Sequence, residues 1–474
     1  MVMMIPEEGK SRDEILNELK VARRNDARWE EGKLFSLVFH LSEEHSELVK
    51  EAYNMYIHEN GLNPMAFQSL RRFELEVVQM TASLLNGDNE TVGCMTSGGT
   101  ESVLLAMKTY RDRARKERRE RYFIPEIIIP DSAHVAFDKA GEYFDIKMVR
   151  APIINKTGKV DVRAVERRIT PDTVALVGSA PNYPYGTIDP IPELGELANK
   201  YQLGLHVDAC VGGFILPWFE KIGEAIPPFD FRVPGVTSIS ADLHKYGYAA
   251  KGASVILYRS IEIMRHQLFV SVNFPGGIVM TPGLTGTRPG GAIAAAWATL
   301  MGLGQKKYME NAKYLSEIVK KFKEGIKSIP ELDIVGEPQG PLFAYYSKSP
   351  DVNIYAVADI LEEKGWHIDR QQKPASLHFM INPLHGKIID EYLNDLREAV
   401  AKVKSNPELA KQATAPVYGM IANVPLRGMV ESEVRKIVEN VYKNASPEIN
   451  LGEQNAHENI FKLVKKLFDY ALNK

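Results

Sequence analysis

The sequence predicts an α/β fold, with a large domain built on a mostly parallel sheet and a smaller α+β domain behind it. Three observations carry this reading. Short apolar runs at 92–95, 126–129, 173–178, 203–207, 236–239 and 254–258 alternate with helical stretches. That alternation belongs to a parallel sheet covered on both faces. After Gly304 the pattern changes to one long amphipathic helix, then strands near Ile334, Leu342–Tyr346 and His378–Ile381 with helices near 354–364 and 387–404. Between the first two runs lies a glycine turn, Ser97-Gly-Gly-Thr100, that reads as the junction from strand to helix.

The elements follow in order. Residues 1–60 form a polar, helical N-terminal arm, 61–305 the large domain, and 306–474 the small domain with a terminal helix. In the arm, Glu43–His58 sets Leu48, Ala52, Met55 and Tyr56 roughly on one face. Phe67–Leu85 repeats Leu70, Phe73, Val77, Met80 and Leu84 at helical spacing. Glu101–Arg121 is one helix with Val103, Met107, Tyr110 and Ala114 toward the core. Its basic end, Arg111–Arg121, reads as a solvated helix C-terminus, where cations are favoured, before it reads as an anion-binding surface. Tyr308, Ala312, Leu315, Val319, Phe322 and Ile326 mark the long linking helix, and Ile460, Val464, Leu467, Phe468 and Ala471 a last amphipathic one.

Composition narrows the classes. The chain has 474 residues, 45% hydrophobic and 25% charged, with a net charge of −3. These values are ordinary for a globular protein and give no electrostatic case for nucleic acid. Cys94 and Cys210 both sit in apolar, strand-like contexts and read as reduced core residues, consistent with a cytoplasmic protein. Neither cysteines nor histidines fall at metal-ligand spacing, so no metal is expected. The uncharged run Gln267–Thr287 is broken by Pro275, Pro282 and glycines, and Ala292–Gly304 is too short to span a bilayer. The start, Met1–Glu8, is charged too soon for a signal peptide. A soluble chain is expected.

Two strand ends carry chemistry. Asp208 closes the run Leu203–Val207, and Lys245 follows Val236–Ile239 and a turn. An acid and a lysine at the carboxyl ends of strands in one α/β sheet point into the crevice where such sheets bind ligands. Two surface charges or an ion pair is the bland reading. The functional reading is an aldehyde cofactor, pyridoxal 5′-phosphate. The lysine would form a Schiff base with it, and the aspartate would hold the proton on its pyridine nitrogen, making the ring an electron sink. Gly98 and Gly99, at the start of a helix that Thr100 or Ser102 caps, would let backbone N–H groups approach the phosphate. His134 ends the strand Ile127–Pro130 and would stack on the ring, though a capping or core histidine is the plainer alternative.

Thr96-Ser-Gly-Gly-Thr-Glu-Ser102, Ser132-Ala-His134, His206-Val-Asp-Ala-Cys210, Ser240–Gly252 with its His244-Lys245-Tyr-Gly-Tyr core, Arg288-Pro-Gly-Gly291 and Val417-Tyr418-Gly-Met420 occur in this order. Together they resemble the sphingosine-1-phosphate lyase branch of the group II decarboxylase family. The resemblance implies fold type I, the aspartate aminotransferase-like architecture. It implies Lys245 as the Schiff-base lysine, Asp208 as the nitrogen partner and His134 on the ring. Gly99, Thr100 and His244 would surround the phosphate, together with Gly286 in the Thr285–Thr287 loop of a second subunit. Lys251, Tyr418 and Arg288 would face the substrate, with Lys245, His134 and Tyr418 as the proton carriers. It also implies a homodimer with shared sites. Where the lyases hold substrate phosphate with a tyrosine and a histidine, this chain has Phe39 and Asn63, and Tyr185 stands where some relatives have histidine.

Three functions remain open at this point. The leading one is a carbon–carbon lyase acting on an amino substrate, phosphorylated or not. The second is a decarboxylase of a small, acidic or aromatic L-amino acid. The third is a non-catalytic binding protein, which would show no Schiff-base absorbance.

Overall fold

The computed structural model describes residues 4–118 and 123–411, with short pieces between 431 and 443. Its centre is a seven-stranded sheet of β1 Val92–Thr96, β2 Glu126–Pro130, β3 Lys147–Ala151, β4 Thr173–Ser179, β5 Gly204–Asp208, β6 Ser238–Ala241 and β7 Ser254–Tyr258. The spatial order is β1-β7-β6-β5-β4-β2-β3. Neighbours are parallel from β6 through β3, while β7 runs antiparallel to both β6 and β1. Two reversals restore the direction, so β1 runs with β5 and β6. The carboxyl ends of β1, β2, β4, β5 and β6 therefore share one edge. β2, β5, β6 and β7 are buried along their whole length, as strands covered on both faces are.

The six expected runs all became strands. β3 was not expected; Lys147-Met-Val-Arg-Ala151 is interrupted by the charged Lys147 and Arg150 and lies at the sheet edge, so it carries no long apolar run. Within the expected loop Gln267–Thr287, Phe269–Ser271 pairs with Val279–Thr281 as an exposed ribbon.

Helices α1 Arg12–Ala22, α2 Glu43–Met55, α3 Gln68–Leu84, α4 Gly99–Arg118 and α5 Gly290–Lys327 organise the rest of this half. The buried side of α2 departs from the expected one. His45 is buried and Val49, Ala52, Tyr53 and Tyr56 are half-buried, whereas Met55 is exposed. The glycines of α5 explain the choice: a Cβ on Gly291 would sit 2.8 Å from the Tyr53 ring, so the two backbones meet there. Val103, Met107, Tyr110 and Ala114 of α4 face the core as expected. In α5, Ala292–Ala296 are buried, and the helix bends at Gly304 (φ 58°, ψ 173°), a conformation open to glycine. Beyond the bend, Leu315, Val319, Phe322 and Ile326 pack on a second, antiparallel sheet of β8 Leu332–Ile334, β9 Leu342–Ser347, β10 Asp369–Gln372 and β11 Ala375–Met380, ordered β8-β9-β11-β10. Helices α6 Ile354–Glu363 and α7 Ile389–Ser405 cover it. The strand β10, Asp-Arg-Gln-Gln, is wholly polar and gave no signal. No helix among the described residues is long and apolar enough to cross a membrane. The expected terminal helix near 460–471 lies outside the described residues.

Candidate active site

The shared sheet edge gathers the predicted residues. Asp208 ends β5, is buried, and takes the N–H of Cys210 on Oδ1 at 3.1 Å, with the Ser240 hydroxyl at 3.4 Å. Those donors fix its carboxylate at the strand end, in register with Ser179 on one side and Ser240 on the other. Lys245 sits in the turn after β6. Its ammonium lies 3.0 Å from Oδ2 of Asp242, a carboxylate 1% exposed, and the lysine side chain keeps a partly open face. Burial pulls the Lys245 amine down, but Asp242, with Cys210 and Asp208 behind it, outweighs burial and the net direction is upward. Burial likewise pushes Asp242 up, and Lys245 and His244 more than reverse it. His244 brings Nε2 to 3.5 Å from the same Oδ2, while its Nδ1 accepts the Ala253 N–H at 3.3 Å.

The glycine turn stands directly over this cluster. A Cβ on Gly99 would lie 2.7 Å from Cys210 Sγ and 2.8 Å from Asp242 Oδ2, and one on Gly98 would lie 3.3 Å from His244 Cε1. The turn is therefore pressed against the residues after β5 and β6, and only glycine fits at 99. The helix begins at Gly99, which corrects the expected cap. Ser102 is inside the first turn, its hydroxyl 2.7 Å from Thr96 and 2.9 Å from Ser254, and the Glu101 carboxylate takes the Ser97 N–H at 2.8 Å. Thr100 is left exposed at the helix start, with the backbone donors of the turn. The second Glu101 oxygen accepts the Leu284 N–H at 2.9 Å and so ties the turn to the loop that carries Gly286.

His134 is exposed, with Nδ1 accepting the Ala136 N–H at 3.1 Å and its ring edge-on to Tyr183 at 6.2 Å. Tyr183 donates to Asp369 of β10 at 3.3 Å and stacks on His378. Burial first, then Asp369, pushes its phenol up to about 12. Lys251 places Nζ 2.9 Å from the Leu37 carbonyl, 3.2 Å from the His244 carbonyl and 5.0 Å from the Phe39 ring centre. Burial, then the Lys245 charge, pulls its amine down to about 8.

Three predicted positions stand apart. Asn63 lies on an exposed turn, its Oδ1 taking the Met65 N–H. Gly286 is exposed and faces Leu62 of that same turn. Arg288 is clamped two-fold by Glu74, with Nη2 2.9 Å from Oε2, and its Nη2 also reaches the Gly61 carbonyl. Its terminal nitrogens are engaged inside the fold by Glu74 and Gly61. Tyr185 is buried with its hydroxyl on the Lys373 carbonyl. Tyr418 lies outside the described residues. Asp242, Glu101 and Tyr183 were missed. Asp242 had a signal, its place three residues before the lysine in the turn after a strand; Tyr183 and Glu101 had none.

These parts fit pyridoxal 5′-phosphate. The glycine turn and helix start would take the phosphate, Lys245 the aldehyde carbon, Asp208 the ring nitrogen and His134 a ring face. The unpartnered Asp242 Oδ1 and the partly open Lys245 show polar groups turned to one place. When bound, this group supplies a ring that accepts the electron pair of a broken bond to Cα. The fold and site together define a pyridoxal-phosphate enzyme of the α/β, mostly parallel class.

Comparison with known proteins specifies it further. The family model described as the pyridoxal-dependent decarboxylase conserved domain matches residues 5–348. The chain is 45% identical over 438 residues to the sphingosine-1-phosphate lyase of Arabidopsis thaliana, covering 90% of this chain and 79% of that one. It is 42% identical to sphingosine-1-phosphate lyase 1 of Rattus norvegicus, covering 93% and 77%. The solved sphingosine-1-phosphate lyase of Burkholderia pseudomallei superposes with a TM-score of 0.82 at 40% identity, over 87% of this chain and 95% of that one. The glutamate decarboxylase of Lactobacillus brevis, at 18% identity and a TM-score of 0.75, shares the fold. This chain belongs to the pyridoxal-dependent decarboxylase family, and is a pyridoxal-phosphate-dependent carbon–carbon lyase resembling the sphingosine-1-phosphate lyases.

Proposed function

We propose that the enzyme breaks the Cα–Cβ bond of a phosphorylated amino alcohol, with Lys245 as the cofactor lysine and Asp208 as the ring-nitrogen partner. The observation that carries the substrate class is Lys251, a half-desolvated cation six residues beyond Lys245 and held against the same turn. A cation so placed suits a phosphate or a hydroxyl oxygen of the substrate. His134, Tyr418 and Lys245, once displaced by substrate, are the groups for moving protons to and from the β-hydroxyl and Cα. A second reading, amino-acid decarboxylation, rests on Phe39, which packs edge-on against Tyr246 and offers Lys251 only a ring face. Incubation with phosphorylated amino alcohols and with free L-amino acids separates the two. Aldehyde release supports the lyase; carbon dioxide release without aldehyde overturns it.

We also propose a homodimer with shared sites, and a cytoplasmic location in line with two buried, unpaired thiols. Gly286, Leu284, Phe274 and Ile278 are exposed on the glycine-rich segment, and Leu62 and Met65 flank Asn63. Exposed apolar groups beside a loop expected to touch cofactor phosphate suit a surface that meets a second copy. Lys245→Ala subunits mixed with subunits carrying an inactivating change in the Thr285–Thr287 loop should regain part of the activity. No recovery after confirmed subunit exchange would count against shared sites.

A further inference from the structure

Asp242 is buried, and nothing assigned so far uses it. One oxygen, Oδ2, lies 3.0 Å from the Lys245 ammonium and 3.5 Å from His244 Nε2. The other, Oδ1, has no hydrogen-bond partner. Both oxygens would lie within 3.0 Å of a Cβ on Gly99, so no side chain separates the carboxylate from the glycine turn. A buried carboxylate with one oxygen unpaired is costly, and its attraction to a single nearby cation is correspondingly strong.

We propose that Asp242 is a positioning residue that clamps the Lys245 amine as a cation and so governs how fast this lysine attaches to the cofactor aldehyde. The inference rests on Lys245 being the cofactor lysine. Attachment forms a bond from Nζ to the aldehyde carbon and breaks that carbon's bond to oxygen, which leaves as water. The ammonium must first give up a proton, because only the free amine has an electron pair to donate. The clamp opposes that loss. It thereby slows the reaction of Lys245 with aldehydes in general.

The charged and titratable groups around Lys245 come from every neighbouring segment. Asp208 and Cys210 follow β5, Asp242 and His244 follow β6, Tyr183 follows β4, and Lys251 closes the turn. Asp242 is the one at hydrogen-bond distance of Nζ. The direction is therefore set by this pair. The cationic form persists below a raised midpoint, and free amine appears only as pH climbs through it. Replacing the carboxylate by an amide lowers the midpoint and exposes the lone pair at lower pH.

The test uses full-length protein freed of cofactor. Competitive acetylation with acetic anhydride, read by mass spectrometry on the Lys245 peptide between about pH 7 and 11, gives the midpoint. In the wild type it should lie above the ordinary lysine value of about 10.4. In Asp242→Asn it should fall by at least about one pH unit, and attachment near pH 7.5, followed by absorbance, should accelerate about tenfold, since one unit is tenfold in free amine. The acceleration should be the same with pyridoxal 5′-phosphate and with unphosphorylated pyridoxal. An unchanged midpoint overturns the inference. So does acceleration with the phosphorylated form alone, which would mean that Asp242 acts on the phosphate. If the variant does not fold, the wild-type midpoint decides: at or below the ordinary value the inference fails. Borohydride fixation of the cofactor on another lysine would instead sink the assignment of Lys245 itself.

Discussion

The cofactor end and the substrate end of this site are built differently. Asp208, Asp242 and Lys245 stand at or just beyond the ends of buried strands, Asp208 held by the Cys210 N–H at 3.1 Å and Lys245 paired with Asp242 at 3.0 Å, and Gly99 begins the helix pressed against them. Phe39, Asn63 and Gly286 sit on the N-terminal arm, an exposed turn and an exposed loop. The first group cannot change without disturbing the sheet. The second can, because such segments tolerate substitution. That contrast would let a chain keep its cofactor end while its substrate end varies.

The contrast breaks most sharply at Lys245. Lys245→Ala should abolish cofactor attachment and turnover, and borohydride should fix the cofactor to Lys245 in the wild type, as peptide mapping would read. Turnover in the alanine variant would mean another amine serves. Asp208→Asn should fold normally and lose about tenfold to a hundredfold in kcat, because a hydrogen bond to a charged group contributes roughly 1.5–3 kcal/mol. Near-normal turnover in steady-state assays would remove Asp208 from the cofactor end.

At the substrate end the changes should be gains. Phe39→Tyr with Asn63→His adds two donors for an anion, each contributing roughly 1.5–3 kcal/mol. Each donor alone should raise kcat/KM for a sphingosine 1-phosphate analogue about tenfold to a hundredfold, and the pair should raise it further. The gain should grow below about pH 6.5, where the new imidazole is charged. A parent enzyme that is already efficient, with no gain in the variant, would show that these positions do not set specificity. The smallest effect is the pH response of Lys251. Burial, then Lys245, brings its amine to about 8, so it is a cation below that pH and neutral above it. KM for a phosphorylated substrate should rise about tenfold for each unit above the midpoint, as the cationic fraction falls. Lys251→Arg, which stays charged, should flatten that rise; a flat wild-type profile would exclude Lys251 as the anion ligand.

Much of this was legible because burial and chemistry coincide at strand ends. β5 and β6 read as apolar runs, and each carries its ionisable residue at or just beyond the carboxyl end. The edge strand β3 and the polar strand β10 were illegible for the opposite reason: their pairing comes from neighbours rather than from an apolar pattern. The outward placing of Met55 on α2 depends on a glycine in α5, more than two hundred residues away, which no local period encodes. Asp369 enters the site's surroundings by pairing with Tyr183 from a different sheet, a contact of tertiary origin alone. That Glu74 holds Arg288 is likewise a tertiary contact that a sequence does not show.

The closeness of Gly99 to Cys210 and Asp242 has an evolutionary consequence. Three segments far apart along the chain share one volume barely larger than a hydrogen atom. A methyl group at 99 would need a smaller residue at 210 or 242, and either replacement would loosen the setting of Lys245. Drift at any one of these positions is therefore barred unless the others move with it. Among descendants of this sequence the three should be inherited as a unit, whatever becomes of the substrate pocket.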